Sequence, residues 1–319
     1  MEQHTQPGSI PLMPGALAAV LFLGVVGSVA TMTQAPYIMF PELAALSYGV
    51  FLRPTGEWAR SPLLLAVTPI AAAVLGLFVT RTMPYGLLSV ALVIACSMLI
   101  IHLLHSSVAP SISAGLLPLV LHIDSWWYPV SIAFGTIFLA LLSIGYRRAR
   151  PWLGESASAA PVETPTIQTA PSNFSWLPAF ALFIAAAYVL GNLSANRLVL
   201  FPPLAVIAFQ MFAHAKVCPW ALRPAIMPIA CTLTATIGAV FVHVLGVGGA
   251  SVVLSALISI AVIRLLRLHM PPALAVALLP QVMHESSLDF VVGVAGGTLT
   301  LSLVFVVWKH WKLAFNHEI

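Results

Sequence analysis

Successive stretches of about 20 apolar residues, separated by short polar turns, constrain the fold of this chain more than any other feature. Residues 15–33 form one such stretch without a single charged residue, and comparable stretches recur along the chain. Strands of a membrane barrel alternate apolar and polar residues, whereas these stretches are continuously apolar. Because only 7% of all residues are charged, we expect an all-α polytopic membrane protein embedded in a lipid bilayer.

The charged and sulfur-containing residues agree with this class of protein. The net charge of +4 arises mainly from Lys and Arg at the ends of apolar stretches, which is typical of topology signals and not of nucleic-acid binding. No Lys or Arg precedes the first apolar stretch, so we expect a retained helix and not a cleaved signal peptide. Cys96, Cys218 and Cys231 have no paired spacing and predict no disulfide framework.

A polar segment divides the chain into two halves of similar size. Residues 146–174 are rich in Ser, Thr, Pro and Ala and lack apolar periodicity, which is typical of a flexible linker. We therefore expect a first membrane repeat over residues 1–145 and a second over residues 175–319.

The two halves resemble each other. FPELAALSYGVF (40–51) aligns with FPPLAVIAFQMF (201–212), and PSISAGLLPLVLH (110–122) aligns with PALAVALLPQVMH (272–284). From Trp58, which aligns with Trp220, the offset stays at 162 residues. One offset that holds over many Gly, Pro and Trp positions predicts tandem repeats of one fold.

Each half contains six apolar elements, and the second and fifth of each half are short or contain prolines. The elements are predicted near residues 15–33, 36–52, 62–80, 85–104, 107–122, 126–145, 175–194, 199–214, 222–244, 249–268, 271–284 and 288–308. If all twelve cross the membrane from a cytoplasmic N-terminus, every Lys and Arg except Arg81 and Arg197 lies on the cytoplasmic side, as expected for cytoplasmic loops. Re-entrant second and fifth elements would distribute these residues evenly between the two sides. We therefore expect twelve crossings, cytoplasmic termini and parallel repeats related by an axis along the membrane normal.

Basic residues recur at equivalent places in the two halves. The register aligns Arg264 and Arg267 with His102 and His105, so each half has a basic pair spaced i, i+3 at the end of its fourth element. Ionisable side chains at such positions are costly in lipid and often functional. Alternatively, the two arginines are orientation signals that extend to the headgroups.

A proline pair follows the second of these basic pairs. Proline suits the first turn of a helix, and the free N–H groups of that turn, with the helix dipole, favour an anion. We expect the following residues to bind the substrate or line its path: His105, His122, Arg264, Arg267, His269, Pro271, Pro272 and His284. Alternatively, the histidines at the ends of the fifth elements, His122 and His284, are interfacial residues without a direct role.

Glu42 is a lone carboxylate in an apolar element, and Pro203 stands at its equivalent position. It has a possible role in coupling, because a carboxylate within the membrane can carry a proton. Pairing with an arginine, or a position at the N-terminus of a short helix after Pro41, are the other interpretations.

Motifs of known enzyme classes are absent from the sequence. It contains no Walker loop, dinucleotide fingerprint, HExxH or G-x-S-x-G motif. The segment HESSLD (284–289) has no recognised metal-ligand spacing and is interpreted as an entrance rim. We therefore expect neither an enzyme nor a bound metal or cofactor.

At LHMPPALAVALLP (268–280) the chain resembles the HPP family of integral membrane proteins, which is named for a His-Pro-Pro motif. His269, Pro271 and Pro272 match that motif with a methionine between the His and the prolines, and the FPEL segment around Glu42 is also similar to the family's layout. The resemblance implies a transport role, since plastid members of the family have been linked to nitrite transport.

Together, these features predict a multi-pass membrane transporter or channel-like protein for a small solute, with a small anion such as nitrite as one candidate. We expect it in a bacterial cytoplasmic (inner) membrane. The sequence leaves two alternative functions open: an intramembrane enzyme or redox component that uses histidines as bases or metal ligands, and a non-transporting scaffold. It also leaves open assembly into a homo-oligomer.

Overall fold

The computed structural model describes residues 14–149, 174–283 and 288–314. Within these residues all regular structure is helical, which confirms the predicted all-α class. There are thirteen α-helices: α1 (Pro14–Met32), α2 (Glu42–Leu52), α3 (Glu57–Arg60), α4 (Pro62–Thr82), α5 (Leu87–Leu103), α6 (Ser111–Leu121), α7 (Trp127–Ala149), α8 (Leu177–Leu193), α9 (Pro202–Ala213), α10 (Ile226–Leu245), α11 (Gly249–Leu265), α12 (Pro272–Leu278) and α13 (Leu288–Ala314). Short 3-10 segments occupy Pro36–Ile38, Arg197–Leu200 and Leu279–Val282.

Five helices, α1, α4, α7, α10 and α13, are long and apolar enough to cross a membrane. The 23 residues of α7 extend about 34 Å, which exceeds the roughly 30 Å of a bilayer's hydrocarbon core. Large apolar side chains on the outside of these helices are exposed, for example Leu21 and Phe78, each at 60%. A surface of this kind is compatible with an integral membrane protein.

Four helices, α2, α6, α9 and α12, are short and almost entirely buried. Each begins at a proline, because the ring fixes a helical φ and the missing N–H is not needed in the first turn. Pro41, Pro110 and Pro271 are N-caps, and Pro202 is the first residue of α9. The 11 residues of α6 extend only about 16 Å, half of the hydrocarbon thickness.

Contacts between helix ends define two opposite faces of the molecule. The terminal face is where α1 begins and α13 ends. At this face Gly15 of α1 packs on the Phe51 carbonyl at the end of α2, and the Arg147 guanidinium at the end of α7 donates to the Ala59 carbonyl at 2.8 Å. The distal face is the opposite one, where the Arg81 guanidinium at the end of α4 lies 5.7 Å from the Trp126 ring centroid.

The short helices α2 and α6 begin in the middle third of the molecule. The Ile38 carbonyl and the Leu43 side chain lie beside Gly135, which is eight residues, or about 12 Å, from the distal end of α7. The Gly115 carbonyl packs on Gly76, fourteen residues from the terminal end of α4. The chain therefore enters the interior from the distal face before α2 and from the terminal face before α6.

The central layer is formed by the four short helices. α2 of the first half packs on α12 of the second, and α6 of the first half packs on α9 of the second. α1 and α11 add a further contact between the halves. The interface between the two halves thus passes through the most buried part of the chain.

Two details differ from the sequence prediction. α7 continues through Ala149, so residues 146–149 of the predicted linker are helical. The rest of the predicted linker, residues 150–173, lies outside the described residues. A further four-residue helix, α3, places Trp58 so that its Nε1–H donates to the Ser107 carbonyl at 2.9 Å.

Candidate functional site

A carboxyl group lies at the centre of the molecule. Glu42 is the first residue of α2 and is 2% exposed, and Ser113 in the first turn of α6 is fully buried. The Ser113 hydroxyl donates to Glu42 Oε1, while Glu42 Oε2 and the Ser111 hydroxyl have no hydrogen-bond partner among the described residues. The site therefore retains free capacity to accept and donate hydrogen bonds.

The helices around Glu42 supply no cation. α1, α6 and α12 contain no ionisable residue. An ionised carboxylate that is removed from water without a cation is costly. Conversely, the first turns of α2 and α6 carry the partial positive charge of the helix dipole, which favours the ionised form. Their N–H groups already donate to backbone carbonyls, for example Ala44 to Pro41 and Ser113 to Pro110.

A row of polar side chains leads from Glu42 to the distal face. The Tyr128 phenol lies within electrostatic range of Glu42 and donates to the Ala114 carbonyl at 2.5 Å. The Tyr37 ring meets the Tyr128 ring edge-on, with 5.9 Å between centroids. Tyr37 in turn interacts electrostatically with Asp124, which is exposed at the distal face.

His269 forms the main polar link between the two halves at the terminal face. Its Nε2 lies 3.3 Å from Arg53 Nη2 at the end of α2, and its ring centroid lies 6.3 Å from that of Tyr48. Burial and the Arg53 guanidinium lower the pKa of His269 to about 4. A guanidinium can only donate, so Nε2 of a neutral imidazole accepts this hydrogen bond.

The two basic pairs lie at the terminal face and not at the centre. Arg267 and His105 occupy equivalent positions, each with a left-handed backbone (φ 51° and 48°) that ends the preceding helix. Both side chains are exposed, and Arg264 in the last turn of α11 is partly exposed. The Arg267 carbonyl accepts a hydrogen bond from Arg223 Nη1 at 3.5 Å.

The predicted site residues do not form one cluster. Pro271 and Pro272 begin α12 next to His269, on the terminal side of the centre. His122 caps the other end of α6 and is exposed at the distal face, about 15 Å along that helix from its first residue. His284 lies outside the described residues.

The structure adds residues that the sequence prediction did not select. Arg53 and Tyr48 contact His269, and Ser113 and Tyr128 surround Glu42. The alignment of the two halves could have indicated the residues at the centre, because three polar residues of the first half align with apolar residues of the second. Glu42 aligns with Pro203, Ser111 with Ala273 and Ser113 with Ala275. Polar residues in only one of two similar halves indicate a function and not a shared packing requirement.

A depression of about 170 Å³ opens between the halves, near the distal face. Its lining residues include Gly27, Pro36, Met39, Val247 and Gln281. Two hydrogen bonds hold the Gln281 side chain in place: its Oε1 accepts from the Gly248 N–H at 3.2 Å, and its Nε2 donates to the Ser251 hydroxyl at 3.0 Å.

Large side chains fill the equivalent place on the other side of the molecule. Tyr188, Arg197 and Tyr85 align with Gly27, Pro36 and Val247. The Arg197 guanidinium lies 4.7 Å from the Tyr85 ring centroid, and the Tyr85 and Tyr188 centroids are 5.8 Å apart. The open depression is therefore specific to the side where α1 meets α11, and Pro36 and Met39 connect it to the segment that leads to Glu42.

Among the described residues no group of three or more His, Cys, Asp or Glu side chains lies close enough to hold a metal ion. Comparisons of the chain with models of known protein families, with curated proteins and with solved structures give no match. The function is therefore inferred from the geometry and chemistry of the site.

Proposed function

We propose that this chain is a membrane transport protein that moves a small anion along the interface between its two halves. The observation that carries the proposal is the central layer of short, buried, proline-initiated helices, in which the first turns of α2 and α6 meet at Glu42 in the middle third of the molecule. Secondary transporters commonly bind substrates near the bilayer midplane, at the N-termini of discontinuous helices between two repeats.

The proposed duplication is supported by contacts that recur at an offset of 162 residues. Gly76 packs on the Gly115 carbonyl, and Gly238 packs on the Ala277 carbonyl. Matching hydrogen bonds follow the same register: Thr136 and Thr298 donate to the carbonyls of Ile132 and Val294, and Ser89 and Ser251 donate to those of Gly86 and Gly248. Two parallel repeats of six elements would account for these pairs.

Twelve crossings with cytoplasmic termini remain our proposal for the topology, in a bacterial inner membrane. It is supported by helix ends that alternate between the two faces, for example Phe51 beside Gly15 at the terminal face and Gly248 beside Thr31 at the distal face. The resemblance of His269, Pro271 and Pro272 to the HPP motif is a further reason to propose a duplicated HPP-like transporter.

A preference for anions follows from charge. The N-termini of α2 and α6 present the partial positive charge of the helix dipole to the centre. The terminal face is basic: Arg53 lies between the halves beside His269, and Arg223 and Arg267 lie close to each other at the same face. An anion would therefore be attracted to this face and stabilised at the centre.

The test is uptake of nitrite, and of a panel of other small anions, by proteoliposomes that contain the purified protein. Arg53→Ala should reduce protein-dependent uptake about tenfold, an effect that corresponds to the loss of one hydrogen bond to a charged group. Arg60→Ala is the matched control, because Arg60 is an exposed arginine at the same face. Uptake no faster than in protein-free liposomes for every anion would refute the proposal.

A further inference from the structure

We propose that each anion is accompanied by a proton that binds Glu42 Oε2, so that the protein is a proton–anion symporter. This inference rests on the proposed function. It is carried by the position of Glu42, a carboxyl group with one unpartnered oxygen that lies at the helix N-termini where the anion would bind.

An ionised Glu42 and an anion would compete for the positive ends of α2 and α6, and like charges repel strongly away from water. When a proton from water bonds to Oε2, the carboxylate becomes a neutral acid. The anion then meets the helix N-termini and the Ser111 hydroxyl, which is free to donate, without a negative charge beside it.

Among the described residues of the helices packed on α2, no cation lies beside Glu42. Of the helices packed on α2, α1 and α12 have no ionisable residue, and Glu57 and Arg60 of α3 lie at the terminal face. From α7, Tyr128 faces Glu42, whereas Tyr146 lies against Phe51 and Arg147 and Arg148 lie in the last turn of the helix, near the terminal face. The ionisable groups of α2 and its C-cap are Tyr48 and Arg53, and Arg53 lies about 16 Å along the helix.

Tyr128, Tyr37 and Asp124 form a row between Glu42 and the distal face, and Pro36 and Met39 line the depression that opens on the same face. In the proposed symport, the proton and the anion both reach the centre from this side. A carrier that loads both on the same face and releases both on the other performs symport.

The experiment measures nitrite uptake by proteoliposomes at equal internal and external pH, from weakly acid to weakly alkaline, with uptake by protein-free liposomes subtracted. Wild-type uptake should fall by up to about tenfold per pH unit on the alkaline side, because the protonated fraction falls by that factor. In Glu42→Gln, which resembles the neutral acid, the uptake that is measured should no longer change with pH over this range. Glu57→Gln removes a carboxyl group at the terminal face and should behave as wild type.

The outcomes separate this inference from the proposed function. Wild-type uptake with an unchanged pH profile in Glu42→Gln would overturn proton coupling and leave anion transport intact. Uptake that depends on sodium at constant pH would also overturn it. Absence of uptake with every anion would refute the proposed function and, with it, this inference.

An infrared measurement provides a readout that does not need transport. In weakly acid buffer the protein in lipid nanodiscs should show a protonated-carboxyl band that is missing in Glu42→Gln and retained in Glu57→Gln. If Glu42→Gln does not fold, the same band should shift in Ser113→Ala, because Ser113 donates to this carboxyl group. A spectrum without a band that responds to either change would overturn the proton site.

Discussion

The stability of the protein should fall in acid because His269 is held neutral between the two halves. Its pKa is lowered from 6.5 to about 4, first by burial and then by the Arg53 guanidinium. A histidine with a lowered pKa gives full stability above pH 6.5, where it is neutral in both states. Below pH 6.5 the histidine becomes protonated in the unfolded chain but stays neutral in the folded protein until the pH approaches 4, so the free energy of unfolding falls over this range.

The size of this effect follows from the shift. At about 1.4 kcal/mol per pKa unit, a shift of about 2.5 units corresponds to a loss of at most about 3 kcal/mol between pH 6.5 and 4. His269→Asn should remove most of this loss, because Asn can still accept from Arg53 but does not titrate. Arg53→Gln should reduce the loss only in part, since burial remains.

The assay is the difference in thermal unfolding between variants and wild type, measured in detergent over this pH range. Comparison with wild type cancels the titration of other groups. His105→Asn is the control, since His105 is exposed at the same face and should leave the pH dependence unchanged. Equal pH dependence in His269→Asn and wild type would refute the argument that a buried neutral imidazole links the halves.

Two further predictions concern packing and topology. Gly76→Ala and Gly238→Ala should each destabilise the protein by about 1–3 kcal/mol in denaturant unfolding, because a Cβ would overlap a backbone carbonyl. Gly145→Ala is the control and should change stability by less than about 0.5 kcal/mol, because the space around Gly145 is open. Similar stability of all three variants would contradict this packing. In a background without native cysteines, Arg264→Cys and Ser175→Cys should be labelled from one side of the membrane and Asp124→Cys from the other. Labelling of all three from one side would contradict the assignment of the two faces.

The elements of the fold could be predicted because hydrophobic length and proline position directly control helix length. Pro41 and Pro110 precede helices that cannot extend backward through the ring. The repeated register also predicted equivalent places, and His105 and Arg267 share an unusual left-handed backbone in the structure. Patterns within one half are sufficient for such local features.

The contacts between halves could not be predicted in the same way. No pattern within the first half or within the second half indicates that Arg53 lies beside His269, which is 216 residues away in the chain. The prediction selected His269 for its proline neighbours and missed its partner. Similarly, the i, i+3 spacing of Arg264 and Arg267 indicates one helical face but does not show whether that face lies at the centre or at the surface.

The most direct test of the central claim is to lock the interface between the halves. In a background without Cys96, Cys218 and Cys231, Gly27→Cys in α1 and Val252→Cys in α11 should form a cross-link between the halves, because a Cβ on Gly27 would lie 3.3 Å from the Val252 Cβ. This cross-link should stop nitrite uptake by proteoliposomes, and reduction should restore the uptake of the same sample. Thr68→Cys with Ser106→Cys is the control pair, since these side chains contact each other within the first half at 2.8 Å. We expect uptake to stop only with the cross-link between halves; uptake that continues with this cross-link in place would contradict a path along their interface.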